Sequence, residues 1–275
     1  MYVDRHGGLL INLCNTAPVA YRNQIVTHHD IGYVRYPESY SRSFRYFYRT
    51  APRFFHRKSR SVLTVSEFSK TELTSYYGID RQRILVVPNA AGDEFRPATG
   101  SHLAQDHGPS LLAVSSPSHH KNFARPVDAF DAASVPGTAR LRIIGESSVT
   151  LRRSGVGTRP NVEYLGRVSE TQLVNEYQEA TAFVLPSLYE GFGLPAIEAQ
   201  KCGCPVIASD AAAIPETLRE SAYYFDPLST AEISRSIERV LLDRDLQSRL
   251  ITLGARECKQ VLVEGLGTAS RSPYN

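Results

Sequence analysis

Two glutamates, Glu190 and Glu198, stand eight residues apart in the stretch LYEGFGLPAIEAQKCG, residues 188–203. An apolar run ends at Ser187, Gly191 and Gly193 make the turn, and Pro195 falls where a helix would take its first residue. Proline suits that place because its missing N–H would find no intrahelical partner there. Glycine allows positive φ and a close approach to the backbone, so the amides of Phe192, Gly193 and Leu194 face whatever lies above the helix start. The helix dipole adds roughly half a positive charge at that end, which favours a phosphate or diphosphate. Glu198, one turn further on, can accept hydrogen bonds from a diol, and Glu190 can reach a group further along the same ligand. A ribose diphosphate satisfies both requirements. The plainer reading gives Glu190 to solvent and Glu198 to the helix dipole alone. The joint arrangement of strand, two glycines, proline and second acid favours the binding site.

These residues need a sheet to hold them. From about residue 110 short apolar runs alternate with helical stretches, the signature of a parallel sheet wound by helices. The runs are 111–116, 140–145, 162–168, 182–187, 205–209 and 222–225, with helices around 121–133, 169–180, 195–202 and 229–250. Ser169 with Gln172, and Ser229 with Glu232, have the spacing of capping boxes. The first ninety residues hold three convincing strands, 24–29, 61–66 and 84–89. The expected organisation is a partial first domain over 1–91, a linker over 92–109, a complete doubly wound domain over 110–262 and a frayed tail over 263–275.

Composition excludes several classes. Hydrophobic residues at 42% and charged residues at 21% are globular values, which excludes a disordered or fibrous chain. A net charge of +3, from 31 Lys and Arg against 28 Asp and Glu, is too small to argue for nucleic acid. Cys14, Cys202, Cys204 and Cys258 form neither a disulfide framework nor a zinc knuckle, and Cys202 and Cys204 read as helix-end packing. With no long apolar span and no signal pattern, the expected location is the cytoplasm. No basic amphipathic helix is read from the sequence.

EGFGLPAIE, residues 190–198, resembles the E-x7-E motif of glycosyltransferase family 4. Further blocks are similar in the same order: TVSEFSKTEL (64–73), ILVVPNA (84–90), HHKNF (119–123), YLGRVSETQL (164–173) and IPETLRESAYYFDP (214–227). The resemblance covers roughly residues 20 to 255. It implies the GT-B fold, two Rossmann-like domains of which the first is incomplete here. It also implies a retaining transfer of a hexosyl group from a nucleotide diphosphate sugar to an acceptor hydroxyl.

The roles that follow from the resemblance are specific. Glu198 would bind the ribose, Glu190 would position the donor sugar, and the amides of Gly191, Phe192, Gly193 and Leu194 would serve sugar and diphosphate. Lys121 matches the family lysine that neutralises the diphosphate; the arginine that relatives carry five residues earlier is Ser116 here, a hydroxyl in place of a charge. His29 matches the family histidine facing the donor sugar. Alternation along a strand keeps His28 from sharing that face, which also rules against a metal site at His28, His29 and Asp30. The resemblance implies no metal and no cofactor beyond a GDP- or UDP-sugar donor, with GDP-mannose the first to test. The Asp243-x-Asp245 pair reads as a solvated helix face.

Partners implied are the sugar nucleotide, a glycan or lipid-linked acceptor, and peripheral contact with the inner face of the cytoplasmic membrane. Relatives open with further strands and a glycine-rich loop that Gly7-Gly8 does not replace, and close with a tryptophan-bearing segment; this chain has no tryptophan. The expectation is a shortened member whose donor half is intact. Two other readings compete: a nucleotide-sugar-binding fragment or partner subunit without turnover, and a glycosidase using Glu190 and Glu198 as its acid pair. The glycosidase leaves the helix-start amides and Lys121 without a purpose.

Overall fold

The structure, a computed structural model, describes residues 7–98, 108–116, 118–145 and 159–270, with the side chains of Ser115 and of 262–270 outside that description. Residues 99–107 of the expected linker and 271–275 of the expected tail lie outside the described residues. The chain divides into two compact units: unit 1 takes residues 1–89, 190–192 and 262–275, and unit 2 takes 90–189 and 193–261.

Unit 1 is built on four parallel strands in chain order, β1 (Leu10–Asn12), β2 (Gln24–Thr27), β3 (Ser61–Thr64) and β4 (Ile84–Val86). The sequence suggested three. β1 is only three residues long, too short for a periodicity to register, and it pairs with β2 in the register Leu10↔Gln24. Among the described residues no strand pairs with its outer edge, and Ile11 within it and Leu9 and Leu13 at its ends are exposed. Helices α1 (Gly32–Arg35), α2 (Arg42–Lys58) and α3 (Glu67–Tyr77) complete the unit. Ile31, Tyr33, Val62, Leu73 and Ile84 form its core.

Helix α2 corrects the reading that no basic amphipathic helix exists. Its sequence, RSFRYFYRTAPRFFHRK, starts from Ser41, whose hydroxyl accepts the Phe44 amide. Pro52, Phe55 and His56 face inward. Its arginines gather along one side and its rings along the rest, so the 3.6-residue period is present in the sequence, and the reading passed over it.

Unit 2 carries six parallel strands: β5 (Ser110–Ser115), β6 (Arg140–Gly145), β7 (Val162–Gly166), β8 (Ala182–Leu185), β9 (Val206–Ser209) and β10 (Ala222–Phe225). Their order is β10-β9-β8-β5-β6-β7. The chain winds outward from β5 to β7, returns to β8 beside β5, and winds the other way. This is the doubly wound order, and the strand order reverses between β5 and β8. Every residue of β8 and β9 is buried, as a parallel sheet covered on both faces requires. The helices are α4 (Ala124–Ala132), α5 (Glu170–Glu179), α6 (Leu194–Lys201), α7 (Ile214–Leu218), α8 (Thr230–Leu242) and α9 (Arg244–Ser270). Val127 and Phe130 of α4 and Ile233 and Ile237 of α8 pack in one cluster with Leu111, Leu141, Val184 and Ile207 of the sheet.

The caps follow the sequence in part. Ser169 and Gln172 make the full reciprocal box at the start of α5. Ser229 accepts the Glu232 amide, but Glu232 Oε2 takes the Asp226 amide instead, because the preceding turn brings that donor within 3.0 Å. The expected single helix over 229–250 is two. Asp243 leaves helical geometry at φ −106 and ψ 98, pairs with Arg239 at 2.9 Å, and accepts the Leu246 amide at 2.9 Å to start α9. Asp243 and Asp245 therefore mark a helix junction, and α9 runs to Ser270 where the tail's glycines suggested fraying. Cys202 ends α6 and is buried with Cys204, and all four cysteines are free thiols.

Candidate functional site

In unit 2 the strand-to-helix turn forms as its glycine demands. Gly193 is the residue before the helix, at φ 92, a left-handed value that L side chains rarely adopt. A Cβ there would stand 3.4 Å from Leu185, so backbone conformation, more than space, requires glycine. Leu194 is the first helical residue and Pro195 the second, one place later than the sequence suggested. No acceptor among the described residues takes the amides of Gly193 or Leu194.

Lys121 ends the short 3-10 turn His119–Lys121 that follows β5, and it is half-buried. Asn122 comes next in the left-handed region at φ 55, a conformation asparagine tolerates better than most residues. Its buried side chain donates to Pro186 O at 3.0 Å and Pro227 O at 2.8 Å, and accepts from Arg125. The Leu188 amide donates to His120 O at 2.7 Å. The lysine turn is thus tied to the segment leaving β8. Lys121 and the start of α6 leave from the carboxyl ends of the two strands that flank the reversal, the place where open α/β sheets hold ligands. Ser116, exposed at the end of β5, donates its hydroxyl to Ser118 at 3.2 Å.

Glu198 lies on the second turn of α6, half-buried. Burial pushes its carboxyl up to about 7; a hydrogen bond from Tyr177 opposes the rise, and the negative Glu94 and Glu170 add to it. The Tyr177 hydroxyl donates to Glu198 Oε2 at 3.2 Å, from a fully buried ring set edge-on against Phe183. One turn on, Lys201 Nζ donates to Ala91 O at 3.0 Å and Gly92 O at 2.6 Å, holding the segment that carries Glu94. Sequence reasoning missed Tyr177, Asn122 and Lys201. Asn after Lys in HHKNF is a legible signal for a left-handed turn; Tyr177 gives none, since its partner lies twenty-one residues away.

Unit 1 contains His29 and the segment Glu190–Phe192. β2 ends at Thr27, two residues before the expected limit, although the His28 amide still bonds Leu63 O. The His29 amide donates to Asn15 Oδ1 at 2.8 Å, and its Nε2 lies 3.3 Å from Leu13 O. Gly191 approaches this strand end so closely that a Cβ would sit 2.8 Å from Asp30 Cβ and 3.2 Å from His29 O. Its carbonyl accepts from Ser66 at 2.7 Å and Ser69 at 3.3 Å, two hydroxyls at the start of α3. Burial, with Asp30 and Glu190 nearby, pushes the Tyr40 hydroxyl up to about 12. Phe192 is buried, and no acceptor among the described residues takes its amide.

His28 turns away from His29 into a buried network. Pro52 in α2 has no N–H to offer the Tyr48 carbonyl, and Tyr77 supplies the missing donor through its hydroxyl. Tyr77 in turn meets Tyr33, Tyr33 meets His28 Nε2 at 2.9 Å, and His28 Nδ1 meets His56 Nε2 at 3.0 Å. Since Tyr77 has spent its proton on Tyr48, Tyr33 must donate to Tyr77, His28 Nε2–H to Tyr33, and His56 Nε2–H to His28. That leaves His56 Nδ1 as a bare acceptor, and it is indeed unpartnered. Both rings are neutral: burial holds His28 well below the usual histidine range and brings His56 down to about 3. A metal at His28, His29 and Asp30 finds His28 already committed at both nitrogens.

The sequence profile of the family described as Glycosyl transferases group 1 matches residues 98–256, and that of Glycosyltransferase Family 4 matches residues 14–94. The chain is 27% identical over 265 residues to O-antigen chain mannosyltransferase B of Escherichia coli, covering 91% of this chain and 69% of that protein. It is 28% identical over 242 residues to O-antigen chain mannosyltransferase RfbU of Salmonella typhimurium, covering 86% of this chain and 65% of that protein. The structure of Anabaena Alr3699/HepE in complex with UDP and glucose superposes with a TM-score of 0.73 at 19% identity, over 92% of this chain and 72% of that one. The fold is GT-B, with two Rossmann-like parallel sheets, the first small.

Proposed function

The chain belongs to the glycosyltransferases of group 1 and family 4, and from that premise we propose that it transfers a hexosyl group from a nucleotide diphosphate sugar to an acceptor hydroxyl, with retention, in polysaccharide assembly. The observation that carries this reading is the pair of features at the reversal of the six-stranded sheet: the Lys121 turn after β5 and the amide-bearing start of α6 after β8. In this reading the diphosphate sits on the amides of Gly193 and Leu194 with Lys121 beside it, and the ribose diol donates to Glu198. The bond from the anomeric carbon to the diphosphate oxygen breaks, and negative charge grows on the leaving oxygen. Lys121 and the helix start stabilise that charge more in the transition state than before it, which is what accelerates the step. The acceptor hydroxyl forms the new bond to the anomeric carbon on the same face and passes its proton to the departing diphosphate oxygen. Glu190 and His29 are the residues proposed to orient the sugar, and the amides of Gly191 and Phe192 to support it; Ser116 adds a hydroxyl donor to the phosphates.

Mannose is the first sugar to test, because both relatives are named as mannosyltransferases; the HepE complex, with UDP, makes uridine the alternative base. A glycan or lipid-linked acceptor and peripheral contact at the cytoplasmic membrane complete the proposal. Among the described residues no helix is long and apolar enough to cross a membrane. The test is calorimetric titration with GDP, UDP and their sugar conjugates, alongside turnover of labelled donor by wild type and Lys121→Ala. Loss of the cation is expected to slow transfer about 10²–10³-fold. A Lys121→Ala enzyme with the wild-type rate would remove the premise, and donor binding without transfer would favour a binding subunit.

A further inference from the structure

We propose that Ser66 and Ser69 are positioning residues for the transfer: their hydroxyls hold the Gly191 carbonyl and so set the direction in which the Phe192 N–H donates to the donor sugar. The inference rests on the transferase reading above and adds to it two residues that act through the backbone.

The block TVSEFSKTEL enters that reading with no chemistry assigned to it. In the structure Ser66 is the N-cap of α3 and Ser69 follows three residues on, so both hydroxyls stand at the helix start. Both residues are buried. Ser66 Oγ accepts the Ser69 amide at 3.0 Å, which is the cap, and donates to Gly191 O at 2.7 Å. Ser69 Oγ donates to the same oxygen at 3.3 Å. The cap needs the Ser66 hydroxyl only, and alanine would suit the helix at 69 better than serine. The carbonyl that Ser69 reaches, 122 residues along the chain, accounts for the second hydroxyl.

One hydrogen bond leaves a peptide free to rock about it, whereas two from the same helix start hold its plane. A carbonyl oxygen has two lone pairs to give, and the positive end of the α3 dipole favours it there. On its other side the glycine is backed closely by the exit of β2, where a Cβ would stand 2.8 Å from Asp30 Cβ. The Gly191–Phe192 peptide is trans, so its C=O and N–H lie in one plane and point opposite ways. A carbonyl turned into the start of α3 therefore turns the Phe192 N–H away from it. No acceptor among the described residues takes that N–H, although the Phe192 ring is buried. A donor fixed in advance needs no reorganisation as the bond from sugar to diphosphate breaks. Glu190 precedes the same glycine, so the tie also steadies the acid proposed to orient the sugar.

The experiment compares the full wild-type chain with Ser66→Ala/Ser69→Ala, both isotopically labelled at the phenylalanine nitrogens. Without ligand, relaxation should give the Phe192 amide an order parameter of about 0.85 in wild type and below about 0.6 in the double variant. With sugar nucleotide, kcat should fall about 10–10²-fold in the double variant, the effect of a misplaced group. The Kd of bare GDP or UDP should stay unchanged, because the tie governs the sugar end of the ligand. Ser66→Thr keeps both hydroxyl and cap and should restore both readouts. Ser69→Ala leaves the cap of α3 whole; it should show the same shifts at smaller size and serves if the double variant does not fold. Ser41→Ala strips α2 of a cap of the same kind and should lower the melting temperature with kcat unchanged. The proposal is overturned by a Phe192 amide as ordered in the variants as in wild type, by a wild-type kcat in them, or by nucleotide affinity falling in step with kcat. An ordered wild-type amide that loosens in the variants, in a protein that binds no donor, sinks the transferase and leaves the serine tie standing.

Discussion

Glu198 gives the sharpest test of the donor site, because its chemistry changes inside the working pH range. Its carboxyl titrates near 7, lifted by burial and by Glu94 and Glu170 against the pull of the Tyr177 hydroxyl. If the ribose diol donates to this group, the ionised form binds and the neutral form binds poorly. With a midpoint near 7, about nine in ten carboxylates are ionised at pH 8 and about one in ten at pH 6. Donor affinity should therefore fall about tenfold between pH 8 and pH 6, equivalent to about 1.4 kcal/mol. The probe must be an intact sugar nucleotide, since a diphosphate diester does not titrate over that span. Calorimetric Kd values at intervals of pH give the curve directly. Glu198→Gln should level it at the weak limb. Tyr177→Phe removes the bond that holds the carboxyl down and should move the midpoint to higher pH. A flat wild-type curve, or the same slope in Glu198→Gln, would refute the assignment of the ribose to this acid.

Two further expectations concern unit 1. Gly191→Ala forces a methyl against Asp30 and His29 O, and overpacking of this kind is expected to lower stability by about 1–3 kcal/mol, read as a shift in the urea midpoint at constant slope. The His28–His56 network makes the unit acid-sensitive: both folded pKa values lie below the unfolded value, so the unfolded chain binds more protons and stability falls as pH drops below about 6.5. For His56 alone the loss between pH 7 and pH 5 is about 2 kcal/mol, and His28 adds in the same direction. His56→Gln keeps a donor toward His28 without titrating, so its urea midpoint should depend less on pH; an unchanged slope would show that the rings do not titrate with unfolding.

The buried strands, the glycine turn and the helix start after it were legible from sequence because each is a local matter. A four-residue strand buried on both faces is nearly continuous in apolar residues, as β8 and all of β9 but Ser209 are, and a left-handed residue before a helix selects glycine at 193. A strand of three residues such as β1 falls below that resolution, whereas the period of α2, with its arginines gathered on one side, was present in the sequence and passed over. The chain order of Lys121 and Glu198 said that each follows a strand; it did not say that those strands are neighbours. Only the pairing of β5 with β8 decides that, through hydrogen bonds between segments some seventy residues apart. The same holds for Tyr177 on Glu198, for the Asn122 clamp on Pro186 and Pro227, and for the Tyr77 hydroxyl that answers the carbonyl freed by Pro52. Local sequence fixes backbone conformation through sterics and burial period, while a carboxylate's pKa and a hydroxyl's partner depend on what tertiary packing sets beside them.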